Sequence, residues 1–215
     1  MEDLKMADIN IKTFINDLAS DKPAPGGGAV AAMSAALSGA LSSMVYSLTV
    51  GKKIFDELSE EDKIVLGQNI EEAKGFANEA LKFADKDKKA FNALMDAYKL
   101  PKETEEQKRK RANVIEKRTL KCLVVPLSLA EESLHFYENI KFAAEKGNKN
   151  LVSDAAISAV MLHSAIESAL INVKANLKFI KDEEVKAGAM KKMRIIEENN
   201  NILKIETFKV IDNYL

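Results

Sequence analysis

Residues 23–51 read PAPGGGAVAAMSAALSGALSSMVYSLTVG, a run from Pro23 to Gly51 without one formal charge in a 215-residue chain that is 30% charged. The reading of this run decides the fold. It is long enough to cross a bilayer. Its residue types oppose that: Ser34, Ser38, Ser42, Ser43, Ser47 and Thr49 recur along it, and Ala and Gly supply little transfer energy compared with Leu or Ile. A secretory signal fits less well, because the apolar run lies well inside the chain behind an amphipathic segment. There remains a helix buried on most of its circumference, with room for small side chains and few places for a charge. Ala32, Ala36, Gly39, Ala40, Ser43 and Ser47 form a flat track on it, which a helix of the same chain or of a second subunit can approach closely.

The turn in front of this helix has its own chemistry. Pro25 disfavours helical geometry at Ala24 and marks a boundary. Gly26, Gly27 and Gly28 permit backbone approaches that a Cβ would block. The first N–H groups of the helix then point outward with the positive end of its dipole, which suits a carboxylate, a phosphate or a developing oxyanion. The plainer reading is a tight turn that lets two backbones touch. A P-loop is excluded, since no Lys-Ser or Lys-Thr follows at the required spacing.

Outward from this stretch the chain reads as helix almost throughout. It has four prolines, nine glycines and no alternating run of β-branched residues. Asn10 is placed to cap a short helix whose Ile11, Phe14, Ile15 and Leu18 form one apolar stripe. Ser59 with Asp62 opens a helix, the charged knot Asp85-Lys86-Asp87-Lys88-Lys89 follows, and Phe91, Leu94, Met95 and Tyr98 lead to a stop at Leu100-Pro101. Thr104 with Gln107 starts a long segment to about Lys146, in which Pro126 predicts a kink near Cys122–Val125. Ser153 and Asp154 are placed to cap the next helix, and Asp182 the last. These elements predict an all-α fold, an antiparallel helical bundle of about six or seven helices around the small-residue helix, with residues 1–215 as one domain.

Composition narrows the function. A net charge of −1, from 32 basic and 33 acidic residues, provides no global field for nucleic acid or an anionic membrane. Cys122 is the only cysteine, and His135 and His163 are the only histidines, so neither a disulfide nor a Cys- or His-rich metal centre is expected. With no signal sequence recognised, a cytoplasmic protein is expected. Each histidine reads as a packed or surface residue without a partner carboxylate evident in the sequence. The basic run Lys108–Arg111 lacks interleaved aromatic residues and reads as a solvated helix face. A carboxylate among small residues, such as Asp85 or Asp87, is a candidate acid or base if its surroundings shift its pKa.

Six segments together are distinctive: PAPGGGAVAA (23–32), MVYSLTVGKK (44–53), DKDKKAFNALMDAYKLPKET (85–104), VVPLSLAEES (124–133), GNKNLVSDAA (147–156) and NVKANL (172–177). In this order they resemble the formiminotetrahydrofolate cyclodeaminase and methenyltetrahydrofolate cyclohydrolase family, over nearly the whole of residues 11–182. The resemblance implies an all-helical folate enzyme, at least a homodimer, without a formiminotransferase segment and with no cofactor beyond its tetrahydrofolate substrate, which can be polyglutamylated. The reaction expected is closure of 5-formimino-tetrahydrofolate to 5,10-methenyl-tetrahydrofolate with loss of ammonia; the alternative is hydration of the methenyl compound to 10-formyl-tetrahydrofolate. A non-catalytic folate-binding or interaction bundle is the reading outside enzymology. Both reactions need proton transfer at one carbon and a negative group beside an amidinium-like cation. Asp87 and then Asp154, both within matching segments, are the expected catalytic carboxylates, with an N-cap role the competing reading for Asp154. Gly26, Gly27 and Gly28 are expected to shape the site. Lys52 and Lys102 are expected to meet the anionic glutamate tail. Asn172 and Asn176, four apart on one helix face, are expected to hydrogen-bond the pterin or a buried backbone group.

Overall fold

The architecture is that of a computed structural model in which residues 8–215 are described. Asn10 accepts the Thr13 N–H at 2.8 Å and opens α1 (Ile11–Leu18). The charge-free stretch forms α2 (Gly27–Ser47), after which Gly51, at φ +73°, turns the chain in a conformation that favours glycine. One turn, α3 (Lys53–Asp56), precedes α4 (Glu60–Tyr98), which Ser59 caps. The predicted capping box of Thr104 and Gln107 opens α5 (Glu105–His135), and α6 (Tyr137–Lys146) follows. A 3-10 turn at Lys149–Leu151 leads into α7 (Val152–Leu177), and Asp182 caps α8 (Glu183–Ile211). No strand occurs among the described residues.

Helix α2 is the axis of the bundle, lying between α4 and α7. Its small residues explain both contacts. Gly39 faces α4, where a Cβ would come within 2.8 Å of the Ala73 carbonyl oxygen and 3.0 Å of the Ala77 nitrogen, so only glycine lets the two backbones sit this close. Its serines face α7, where Ser38 and Ser42 place their hydroxyls 3.0 and 3.1 Å from that of Ser158, all fully buried. The Ser158 hydroxyl also lies 2.9 Å from the Ser38 carbonyl oxygen. The serines thus satisfy one another inside the bundle, which is how an apolar run accommodates them. Both α2 and α7 are long and apolar enough to cross a membrane, and in this fold half or more of each apolar window is packed inside the bundle.

The far end of α2 is closed by a polar network. The Tyr46 hydroxyl donates to the Asn139 carbonyl and accepts from Asn69 Nδ2 at 3.1 Å. Asn139 Nδ2 in turn donates to the Asn69 carbonyl and to Glu72 Oε2, each at 3.2 Å. The network ties α2, α4 and α6 together.

Two local expectations need correction. The segment from Thr104 to about Lys146 is not one helix: Pro126 stands inside α5, and the break falls at Phe136, a buried ring stacked 4.2 Å from Phe76. Helix α7 starts at Val152, with Leu151 rather than Ser153 or Asp154 as its N-cap, so Asp154 sits in the first turn, where its charge complements the helix dipole. Of the α1 stripe only Phe14 is buried; Ile11 and Ile15 are exposed.

Candidate active site

A cavity of about 490 Å³ opens where the N-terminus of α2 meets the second half of α4 and the C-terminal part of α7. Its polar lining comes from Pro23–Gly28, Asp87, Lys88, Asn172 and Asn176, and its apolar lining includes Phe91, Leu94, Met95, Tyr98 and Phe179. Asp87 is its one carboxylate among the described residues. The helical period of α4 places it there: Asp87, Phe91, Leu94, Met95 and Tyr98 fall at i, i+4, i+7, i+8 and i+11, a single face.

The glycine turn and Asp87 are fitted to each other. A Cβ on Gly28 would overlap the Asp87 carboxyl group, so glycine is required for the carboxyl to lie across the start of α2. Gly27 is less constrained, its Cβ position lying 3.5 Å from the Asn172 amide, and Gly26 faces open space. The Val30 N–H makes the first helical hydrogen bond, to the Gly26 carbonyl, so the N–H groups of Gly27, Gly28 and Ala29 have no helical acceptor. Burial pushes the Asp87 pKa above its ordinary value. Cys122 stands close enough to feel this charge. Its thiol is pushed up to about 11, by burial first and by Asp87 second, which keeps it protonated and non-nucleophilic at neutral pH.

Asn172 and Asn176 come from α7 and are partly committed to backbone. Asn172 Nδ2 donates to the Ser168 carbonyl at 2.8 Å. Asn176 Nδ2 donates to the Asn172 carbonyl and to the Cys122 carbonyl, both at 3.0 Å. The second bond has a specific cause: Pro126 lacks the N–H that would normally serve the carbonyl four residues earlier, and Asn176 supplies the missing donor from another helix. With Nδ2 engaged, Asn176 has its Oδ1 available as an acceptor.

The remaining expected site residues lie outside this lining. Lys102 is in the exposed loop between α4 and α5, at the same end of the bundle. Lys52 follows α2 at its opposite end, about 30 Å away by helical rise. Asp154 is separated from Asn172 by 18 residues of α7, about 27 Å. Neither Lys52 nor Asp154 is brought to the cavity within the chain. His135 is exposed, whereas His163 is buried with Nε2 3.4 Å from Glu167 Oε1, a partner the sequence reading overlooked; neither lines the cavity.

Comparison with known proteins identifies the family. Residues 10–195 match the family model described as formiminotransferase-cyclodeaminase. The chain belongs to the formiminotransferase-cyclodeaminase family. Within it, the chain is 37% identical over 183 residues to a methenyltetrahydrofolate cyclohydrolase of Methylorubrum extorquens, covering 85% of this chain and 86% of that protein. It is 32% identical to the formimidoyltransferase-cyclodeaminase of Gallus gallus, covering 92% of this chain and 36% of the longer avian protein. The crystal structure of a formiminotetrahydrofolate cyclodeaminase from Thermotoga maritima superposes with a TM-score of 0.83 at 26% identity, covering 96% of this chain and 98% of that one. Family resemblance drew attention to Asp87, the glycines and the two asparagines, but not to Phe179, Cys122 or the aromatic face of α4. The i, i+4, i+7, i+8, i+11 spacing from Asp87 was the available signal for that face.

Proposed function

We propose that the cavity binds a tetrahydrofolate carrying a one-carbon unit and that the protein is a formiminotetrahydrofolate cyclodeaminase. The observation that carries this reading is Asp87: the one carboxylate of the cavity, half-buried and laid across Gly28, with two asparagines on one side and aromatic and apolar side chains on the other. The family membership and the Thermotoga maritima structure support it.

One such carboxylate is sufficient for the chemistry. N10 of a substrate with a protonated formimino group attacks the formimino carbon, forming an N10–C bond and a tetrahedral centre with a proton on N10. Asp87 takes that proton and delivers it to the amino nitrogen. The C–N bond to that nitrogen then breaks, ammonia leaves with the bonding pair, and the positive charge spreads over N5–C–N10 of the 5,10-methenyl product. A carboxyl group with a raised pKa holds the transferred proton more readily than an ordinary aspartate, and its anion stabilises the product cation. The apolar walls assist by holding N10 against the carbon and excluding competing water. No cofactor beyond the folate enters this scheme.

A second reading is favoured by the Methylorubrum relative, which is more similar in sequence and of similar length: water adds to the methenyl carbon as Asp87 takes one of its protons, Asp87 passes that proton to N5 as the C–N5 bond breaks, and the hydroxyl loses its remaining proton to solvent as it becomes the carbonyl of the 10-formyl compound. The two are separated by supplying each folate and following the methenyl absorbance. Its appearance from the formimino substrate supports the cyclodeaminase, its accelerated disappearance supports the cyclohydrolase, and neither change with folded protein removes both.

The assembly proposed is a homodimer. Val30, Leu37, Met44 and Leu48 form an exposed apolar stripe on α2, beside Ile157 and Val160 of α7, and a second copy packed on this stripe would cover it. A monomeric mass by light scattering overturns this proposal. We further propose a cytoplasmic location, with neither nucleic acid nor membrane as partner.

A further inference from the structure

We propose that a second, smaller hollow next to the cavity is the receptor for the carboxylates of the folate glutamate arm, with Arg111 of α5 and Lys181 after α7 as its charged residues. This rests on the folate reading above and refines it. The hollow has a volume of about 140 Å³ and is formed by Arg111, Ile115, Glu116, Thr119, Phe179 and Lys181 with Ala112. Phe179 is a wall of both spaces, so the hollow adjoins the main cavity across one ring. Tyr98 makes a second connection. It lines the main cavity, its carbonyl accepts from Arg111 Nη2 at 3.1 Å, and the guanidinium lies 5.8 Å from its ring centroid.

Three observations point to an anion. Arg111 Nε is buried and has no acceptor, a costly state for a charged donor and one that an arriving carboxylate oxygen relieves. Glu116 shares the hollow yet forms no ion pair with Arg111 or Lys181 among the described residues, so their positive charges are not neutralised by direct contact. Tyr98 and Phe179 are 42% and 62% exposed, placing two aromatic surfaces between the Asp87 region and these cations.

The order of these groups matches the order of groups along a folate. The reacting carbon lies beside the pterin, the aminobenzoyl ring follows, and the carboxylates come last. In the chain, Asp87 stands in the main cavity, Tyr98 and Phe179 at its edge, and Arg111 and Lys181 beyond. Eleven residues of α4 separate Asp87 from Tyr98, about 16 Å. An aminobenzoyl-glutamate arm together with an arginine side chain reaching back spans that interval. Lys52 stands at the other end of α2, so Arg111 and Lys181 supersede it in the single chain as receptors for the tail.

The test compares three substrates differing only in the tail: the tetrahydropteroate without glutamate, the monoglutamate and the γ-linked triglutamate, each carrying the one-carbon group that the protein turns over. Arg111→Gln and Lys181→Glu are the variants, with circular-dichroism melting as the folding control. The parent protein should show a KM for the pteroate at least about tenfold above that for the glutamates, as expected for losing one charge-assisted contact. In the variants this ratio should collapse toward unity, and added salt should shrink it in the parent. Because Arg111 also binds the Tyr98 carbonyl, Lys181→Glu decides if Arg111→Gln is unstable. Equal KM values in the parent, or a ratio retained in folded Lys181→Glu, overturn the subsite while leaving the folate reading intact. Failure of the folded parent to turn over any of the three overturns the folate reading and the subsite with it.

Discussion

The two ends of α2 use polar groups in opposite ways. At its C-terminal end Tyr46, Asn69, Asn139 and Glu72 form a connected set of hydrogen bonds joining three helices. At its N-terminal end three backbone N–H groups have no helical acceptor, and Asp87 lies beside them with its pKa raised by burial. The first arrangement lowers the energy of the folded chain; the second retains polar groups that a substrate can engage. The same contrast runs through the glycines: Gly39 is required by a neighbouring backbone, Gly28 by a reactive side chain.

The strongest way to break this contrast is Asp87→Asn. Turnover should fall about 10²- to 10⁴-fold, the usual contribution of a positioned acid or base. The sign of its stability effect is also fixed. A carboxyl whose folded-state pKa is raised binds more protons folded than unfolded, so stability falls as pH rises from the unfolded value through the folded one. At neutral pH Asp87 therefore destabilises the fold, and the asparagine variant should melt at a higher temperature, an advantage that disappears below the unfolded aspartate pKa of about 3.9. A melting temperature lowered at pH 7 would place Asp87 with the structural end instead.

Gly28→Ala should come next, because its Cβ displaces the carboxyl: kcat/KM should fall about 100-fold, the scale for a misplaced reacting group. Gly39→Ala must separate two backbones and should cost about 1–3 kcal/mol in denaturant unfolding. Tyr46→Phe removes one hydroxyl from the connected network, and a loss of about 1–3 kcal/mol with unchanged kcat is expected. The smallest effect on stability belongs to Gly26→Ala, within about 0.5 kcal/mol, since no protein atom stands where its Cβ would go. Because that space belongs to the cavity, a raised KM in this variant would show that substrate lies against the turn.

Much of this was legible in the sequence because it is local. Caps at Asn10, Ser59, Thr104 and Asp182 and the buried character of α2 follow from residue type and spacing alone. The site was legible as far as motif and helical period reach, which brought out Asp87 and the glycine turn. What sequence could not supply were distances between helices. Asp154 and Lys52 occur in segments as distinctive as those of Asp87, yet helix length carries both to the other end of the bundle. Nor did the sequence distinguish Gly28 from Gly27, because the difference lies in which side chain of α4 crosses above each.

Pro126 has an effect on the cavity although it does not line it. By omitting one N–H it engages the Asn176 amide, so a residue of α5 sets which hydrogen-bonding atoms of α7 a ligand can use. The two positions should therefore be epistatic. Asn176→Leu orphans the Cys122 carbonyl when residue 126 is proline, whereas Pro126→Ala restores a donor within α5 and should lower the cost of that substitution. A double-mutant cycle would measure this coupling, and an adaptive change in folate preference could begin at position 126, outside the cavity lining.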